Sequence, residues 1–192
     1  MKCPSCQAVL ETPQPRCPHC RFSLGKLDLR FGLVPAHSRL CTDRSGTLSL
    51  PDIKQIREQL RLFQKKFPQV LLSVFVNDFE PGTSVPEFAF WMANRARFTS
   101  SDRVRGENCN LLLVVDLTSG SAALTSGYGL EKHVPEEALQ KALDEFASAA
   151  READLAAAIR AAIASLTRQL RELAVKAKDL QSADGRSRSE RW

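Results

Sequence analysis

The sequence predicts an α/β protein with a mixed sheet, preceded by a small cysteine-rich segment. Two apolar runs of strand length, residues 70–76 and 111–115, alternate with segments of helical period. A turn at residues 118–120 then returns the chain as a hairpin. Strands that alternate with helices pair in parallel and a hairpin pairs antiparallel, so the predicted sheet is mixed.

Four cysteines open the chain as two Cys-x-x-Cys pairs, Cys3 with Cys6 and Cys17 with Cys20. The two-residue spacing lets both sulfurs of a pair point at one centre, and four thiolates complete the tetrahedral shell of a structural zinc ion. The segment between the pairs is too short to form a core, so the metal must supply its folding energy. Residues 1–25 are therefore predicted to be a zinc ribbon.

Two other uses of the cysteines are weighed against zinc. Redox Cys-x-x-Cys motifs begin a helix after a strand, which neither pair does. A disulfide framework indicates an exported chain, yet only Met1 and Lys2 precede the first cysteine, which leaves no room for an apolar signal segment. We therefore expect reduced thiols and a cytoplasmic protein. His19 lies between two better-placed sulfurs and is expected not to bind the metal.

Composition points to a globular protein. The 192 residues are 43% hydrophobic and 26% charged, and no apolar run approaches the roughly 20 residues that span a bilayer. Twelve Lys/Arg against five Asp/Glu give residues 1–66 a charge of +7. The basic residues Arg16, Arg21, Lys26 and Arg30 are spread out and barely interleaved with aromatics. This favours a solvated surface over nucleic-acid binding, and a steep salt dependence of affinity would distinguish the two.

The first elements follow from period and capping signals. Residues 27–33 alternate apolar and polar side chains, which predicts a half-buried strand ended by Pro35. Residues 43–46 read as a turn. Ser49 and Asp52 form a capping box, and a helix with one apolar face follows until Pro68.

The later elements complete one domain over residues 26–175. A strand at 70–76 precedes a second capping box at Ser84 and Glu87, whose helix carries Phe88, Trp91, Met92 and Phe98. The strand at 111–115 forms a hairpin with a second strand at 121–125, and two helices begin near Pro135 and Asp154. Residues 176–192 form a polar tail that is expected to be disordered.

Polar side chains follow the carboxyl ends of the predicted strands. Ligands of α/β sheets usually bind beyond these ends. These side chains are Asn77 and Asp78 after the second predicted strand and Asp116 after the third, with Glu107 and Asn108 entering the third.

Three segments together resemble the TPM domain family, over about residues 40–170. Residues 43–49 resemble the family's opening, and Glu107-Asn108 before the apolar strand resembles its central loop. The most specific match is Gly127-Tyr128-Gly129-Leu130-Glu131, followed by Pro135-Glu136. The amino end resembles a zinc ribbon of the Cys-Pro-x-Cys-Gly type. Gln7 and Arg21 replace its usual glycines, which is expected to loosen each turn.

The resemblance implies a three-layer α/β/α sandwich. Family members are linked to photosystem repair and to membrane-receptor assembly, some are described as acid phosphatases, and some as binding calcium. Many are exported and membrane-tethered. In a hydrolase, Asp43, Glu107 and Glu136 would hold a calcium or magnesium ion that polarises a phosphate and activates water. Alternatively, Asp43 shapes a turn and Glu136 complements a helix dipole.

The favoured hypothesis is an accessory protein in which the ribbon and the TPM-like domain dock onto a protein partner. A metal-dependent phosphatase is the alternative. The segment Gly127-Tyr128-Gly129 also has two interpretations, a sharp turn or a cup of amides for an anion, and the turn is favoured. The oligomeric state stays open.

Overall fold

The computed structural model describes residues 3–11, 14–96 and 109–189, with side chains as far as residue 177. The chain forms two compact units, Met1–Glu131 and Lys132–Trp192. The elements of the first unit are α1 (Leu24–Phe31), β1 (Cys41–Asp43), α2 (Leu50–Lys66), β2 (Leu71–Asn77), α3 (Val85–Arg95), β3 (Asn110–Asp116) and β4 (Ser121–Ser126). The second unit contains α4 (Glu136–Glu152) and α5 (Leu155–Ser189). The predicted domain boundaries at residues 25 and 175 stay predictions.

The four strands form one sheet in the order β1-β2-β3-β4. The first three strands are parallel, and β4 pairs antiparallel with β3. Every residue of β3 is buried, and so are all but the last of β2. Continuous apolar runs are typical of strands that are covered on both faces. The predicted α/β class with a mixed sheet is confirmed.

One core lies between the sheet and α3. Alternate residues of β2 and β3 on this face join the apolar side of α3; the largest are Leu71, Phe75, Leu112, Val114, Phe88, Trp91 and Met92. Residues on the opposite face, such as Leu72, Val74, Leu111 and Leu113, are buried as well, and α2 packs against β1 and β2. Burial on both faces agrees with the three-layer sandwich.

The two helix starts predicted at Ser49 and Ser84 are confirmed by their caps. The Ser49 hydroxyl accepts a hydrogen bond of 3.3 Å from the Asp52 N–H, and the Ser84 hydroxyl accepts one of 3.4 Å from the Glu87 N–H. These bonds satisfy amides that have no partner inside the helix. Pro68 follows α2 as predicted, whereas Phe98, assigned to the next helix, lies outside the described residues.

The predicted strand at residues 27–33 is wrong, because residues 27–31 belong to the helix α1. Leu27 is buried, Phe31 packs beside it against the α3 core, and Leu29 and Leu33 are 89% and 94% exposed. The buried positions therefore follow the helical spacing rather than the alternation. The three-residue strand β1 was not predicted, since so short a segment contains no readable period.

Polar contacts hold α1 on α3. The Asp28 carboxylate accepts hydrogen bonds from the Trp91 indole N–H (3.0 Å) and from the Arg95 guanidinium (2.6 and 2.8 Å). Arg30 donates to the Glu87 carboxylate at 2.8 Å. These partners are more than fifty residues apart in the chain, so only the folded protein reveals them.

In the second unit, α4 and α5 pack against one another. Helix α5 begins as predicted, after Asp154, whose carboxylate accepts from the Ala157 N–H at 2.6 Å. It continues to Ser189, whereas a disordered tail was predicted from residue 176. Leu, Ala and Lys remain frequent as far as residue 180, and these are strong helix formers. None of the described helices is both long and apolar enough to cross a bilayer.

Candidate metal centre

The four predicted ligand sulfurs lie together. The Sγ atoms of Cys3, Cys6, Cys17 and Cys20 are all within 4.8 Å of one another. The Cys3–Cys20 and Cys6–Cys17 sulfurs are each 3.7 Å apart, and all these cysteines are free. A disulfide needs about 2.05 Å, whereas sulfurs on a tetrahedron with metal–sulfur bonds of about 2.3 Å are about 3.8 Å apart. The donor set and its spacing therefore fit a tetrahedral metal ion.

The two Cys-x-x-Cys turns share one backbone pattern. In each, the first cysteine donates its N–H to the carbonyl five residues on, and its own carbonyl accepts from the amide four residues on. The bonds are 2.8–2.9 Å long and join Cys3 with Ala8 and Gln7, and Cys17 with Phe22 and Arg21. The repeated pattern places both pairs of sulfurs around one point.

Gln7 and Arg21 stand where a glycine is usual in such turns. Their φ angles are 59° and 57°, in the left-handed region that glycine adopts without cost. The expected loosening is not observed, because both turns keep the same hydrogen bonds. The cost is instead backbone strain, of order 1–3 kcal/mol for a non-glycine residue.

The thiols differ in acidity. The N–H groups of Cys20 and His19 point at the Cys17 sulfur and lower the pKa of that thiol to about 6. The Ala8 N–H also lowers the pKa of Cys6, but desolvation and the neighbouring thiols outweigh it and raise that pKa to about 12. The Cys17 thiolate therefore forms more readily than the Cys6 thiolate. Among the described residues, His19 is not part of the cluster.

Phe22 joins the cysteine cluster to the sheet domain. It packs against the small core of Cys3, Leu10 and Cys17, and also against the core around α3. Its ring meets that of Phe90 edge-on, with the centroids 5.7 Å apart. The ribbon is thus fixed to α3. Sequence reasoning missed Phe22, whose only signal is its position two residues after the last ligand.

Asp43, a candidate ligand of a second metal, closes a turn. Its Oδ1 accepts from the Ser45 N–H and hydroxyl and from the Gly46 N–H, and its Oδ2 accepts from the Leu48 N–H at 2.8 Å. These bonds lead the chain from β1 into α2. The Asp43 carboxylate therefore has a structural use within the described residues.

The described structure does not test whether the other two candidate ligands meet Asp43. Glu107 lies outside the described residues, and Glu136 begins α4 in the second unit. Asp43 pairs with Val76, near the carboxyl end of β2. The first residue of β3, Asn110, pairs with Leu71 at the amino end of β2. Along β2 these two positions are about 17 Å apart by strand rise. The second metal site stays a prediction.

Asp116 is buried at the carboxyl end of β3 and closes the hairpin to β4. It accepts from the N–H groups of Phe79, Thr118 and Ser119 and from the Ser119 hydroxyl. Burial raises the pKa of Asp116, but these donors lower it more, so the pKa is below its ordinary value. Like that of Asp43, the Asp116 carboxylate therefore has a structural use, because it holds the loops that follow β2 and β3.

Gly127, Tyr128 and Gly129 form a turn after β4. The Gly127 N–H donates to the Asn110 carbonyl at 2.8 Å, and the Leu130 N–H donates to the Gly127 carbonyl at 2.9 Å. The ring of Tyr128 meets Phe90 edge-on, and burial together with the Glu131 charge raises the pKa of its phenol. The Gly127 N–H and carbonyl are thus both used within the backbone, as the turn interpretation requires.

The fold combines a mixed β-sheet, covered by helices, with a cluster of four cysteines. The protein is therefore of the α/β class, with an amino-terminal module whose cysteines fit a metal ion. Residues 41–169, two thirds of the chain, match the TPM phosphatase family model, described as the TPM domain. The chain belongs to the TPM domain family. The match begins at β1, so the cysteine cluster and α1 precede it.

Solved structures share the fold. The N-terminal domain of a protein from P. gingivalis is 22% identical, with a TM-score of 0.58, covering 69% of this chain and 82% of that one. The BA42 protein of Bizionia argentinensis is 11% identical, with a TM-score of 0.58 and coverages of 68% and 86%. The N-terminal domain of cg2496 from Corynebacterium glutamicum is 15% identical, with a TM-score of 0.53 and coverages of 70% and 80%. No curated protein matches this chain.

Proposed function

We propose that this TPM-domain protein is a zinc-containing accessory factor of the cytoplasm. Its ribbon and its α/β domain dock onto a protein partner during assembly or repair of a complex. The observation that carries the proposal is the set of four sulfurs at tetrahedral spacing, fixed to the domain through Phe22.

A structural rather than catalytic zinc ion is proposed. Catalytic zinc keeps a coordination position open for water or substrate, whereas four thiolates fill the tetrahedral shell. The ion would be held by Cys3, Cys6, Cys17 and Cys20, and it would stabilise a segment whose own core is very small. Such a module presents a surface and performs no chemistry.

Exposed apolar side chains support a docking role for the amino end. Val9 is 69% exposed in the ribbon, and Leu29 and Leu33 are 89% and 94% exposed in and just after α1. Interfaces bury apolar side chains of this kind. Because Phe22 and the Asp28 contacts hold this region on α3, it meets a partner as a rigid surface.

The test compares partner capture by Cys17→Ser with capture by the wild-type chain. Ser5→Ala, an exposed change within the first Cys-x-x-Cys pair, is the matched control. Cys17→Ser should lose zinc and partners while circular dichroism shows an intact sheet, and Ser5→Ala should keep both. Capture of the same partners by Cys17→Ser would refute docking through the ribbon. Cell fractionation tests the cytoplasmic location.

A metal-dependent phosphatase is the second candidate, supported by the name of the matching family model. It requires calcium or magnesium at Asp43, Glu107 and Glu136. Native mass spectrometry should then show one zinc plus one further ion, with the second lost in a Glu107→Ala/Glu136→Ala variant. Under the docking proposal, the wild type hydrolyses a generic phosphoester no faster than a variant in which Asp43, Glu107 and Glu136 are all replaced by alanine.

A further inference from the structure

The outer edge of β4 has no strand paired to it among the described residues. β4 stands at one end of the sheet order, so one of its edges has no strand neighbour there. Natural edge strands are usually kept short, charged, bulged or interrupted by proline. β1, at the other end of the sheet, has three residues. β4 has six, contains neither charge nor proline, and pairs with β3 in unbroken register.

The register identifies the groups that point outward. The Gly127 N–H donates to the Asn110 carbonyl, so every second residue back along β4 bonds to β3, and the residues between them face away. The outward residues are Ala122, Leu124 and Ser126. Within the described part of the chain, no hydrogen bond outside the β3–β4 ladder uses their backbone groups. Their side chains are partly exposed.

This edge is complementary to itself. An antiparallel second copy, related by a two-fold axis at Leu124, sets Leu124 opposite Leu124 of the partner subunit and Ala122 opposite Ser126 of the partner subunit. No like charges meet, and the flanking side chains are small. Each opposed pair exchanges two backbone hydrogen bonds, about six in all. A symmetric contact of this kind closes after two copies and leaves no further edge of β4 exposed.

We propose that β4 pairs antiparallel with β4 of a second copy, joining two four-stranded sheets into one continuous sheet. The contact is separate from the cysteine cluster and is independent of metal. Cys17→Ser should therefore dimerise as the wild type does, which distinguishes this inference from ribbon docking.

The first test removes one outward donor. Ala122→Pro deletes an N–H that faces away from β3, so the inner ladder keeps its bonds. Sedimentation of the full chain over a range of micromolar concentrations should show a wild-type dimer. In Ala122→Pro the dissociation constant should rise roughly tenfold or more, since each dimer loses two hydrogen bonds. Circular dichroism must show an unchanged fold. A wild-type chain that stays monomeric throughout overturns the proposal, and an extended peptide is then the better occupant of this edge.

The second test reads the register and does not depend on proline. In a Cys109→Ser background, Leu124→Cys places two thiols across the axis, with Cα atoms about 5.5 Å apart as a disulfide requires. Ala122→Cys is the matched control, because its two copies stand about 13 Å apart by strand rise. Oxidation should link chains through residue 124 and not through residue 122, as mapped by mass spectrometry. Equal linkage of both variants, or of neither, contradicts the pairing.

Discussion

The ribbon and the sheet are stabilised by different physics. The ribbon's buried apolar core consists of Leu10 and two of the ligand cysteines, Cys3 and Cys17. The sheet instead buries two strands whose apolar side chains face covered surfaces on both sides. A core of that size contributes through removal of apolar surface from water, whereas under the zinc proposal the ribbon depends on the ion that its four cysteines hold. Stability in one region therefore need not follow stability in the other.

Removing the metal should produce the largest effect, and it should be confined to the ribbon. Apparent zinc-binding free energies in small modules are about 10–16 kcal/mol, so a strong chelator or Cys17→Ser should unfold residues 3–20. Amide NMR signals of the ribbon should collapse to random-coil positions while those of β3 persist. Loss of both sets together would mean that the two regions fold as one cooperative unit.

A cavity in the sheet should destabilise the sheet and leave the ribbon and its metal in place. Leu113→Ala removes a fully buried side chain from β3, and such changes cost about 2–5 kcal/mol of the free energy of unfolding. Urea denaturation should show this loss, while native mass spectrometry still finds the metal bound. Leu29→Ala, at an exposed position of α1, is the control and should change stability by less than about 0.5 kcal/mol.

Phe22→Ala tests the link between the two regions. Phe22 is partly buried and packs on both cores, so the cost should be roughly 2 kcal/mol, below the range for a fully buried phenylalanine. The metal should remain bound, but ribbon amides should exchange faster with solvent because the ribbon is no longer fixed to α3. Unchanged exchange would show that the contacts of α1 suffice to hold the ribbon.

Acid should produce the smallest effect, by weakening α1. Hydrogen bonds from Arg95, then from Trp91, lower the pKa of Asp28. Its stabilisation is therefore complete above the unfolded pKa of about 3.9 and is lost as pH falls through the lower folded value. The emission of Trp91 should change below about pH 4 as its indole bond to Asp28 is lost. Asp28→Asn should remove that step, and a step that persists has another origin.

The spacing of residues along the chain predicted correctly those features that depend on residues close together in sequence. The ligand cysteines, the caps at Ser49 and Ser84, and the apolar strands β2 and β3 all depend on neighbours within a few residues or on continuous runs. The alternation at residues 27–33 misled because Leu29 and Leu33 are exposed apolar residues, and a pattern of residue types does not say which side chains are buried.

By itself, the sequence determined the α/β class, the cysteine cluster and most helix starts, because spacing along the chain sets which groups can meet nearby. Only the tertiary structure decided that α1 is a helix, that Phe22 belongs to two cores, and that Asp43 and Asp116 close loops. The same is true of the edge of β4 that lacks a paired strand among the described residues, which follows from strand order and register. These features depend on contacts between residues far apart in the chain, which are established when apolar surfaces pack together.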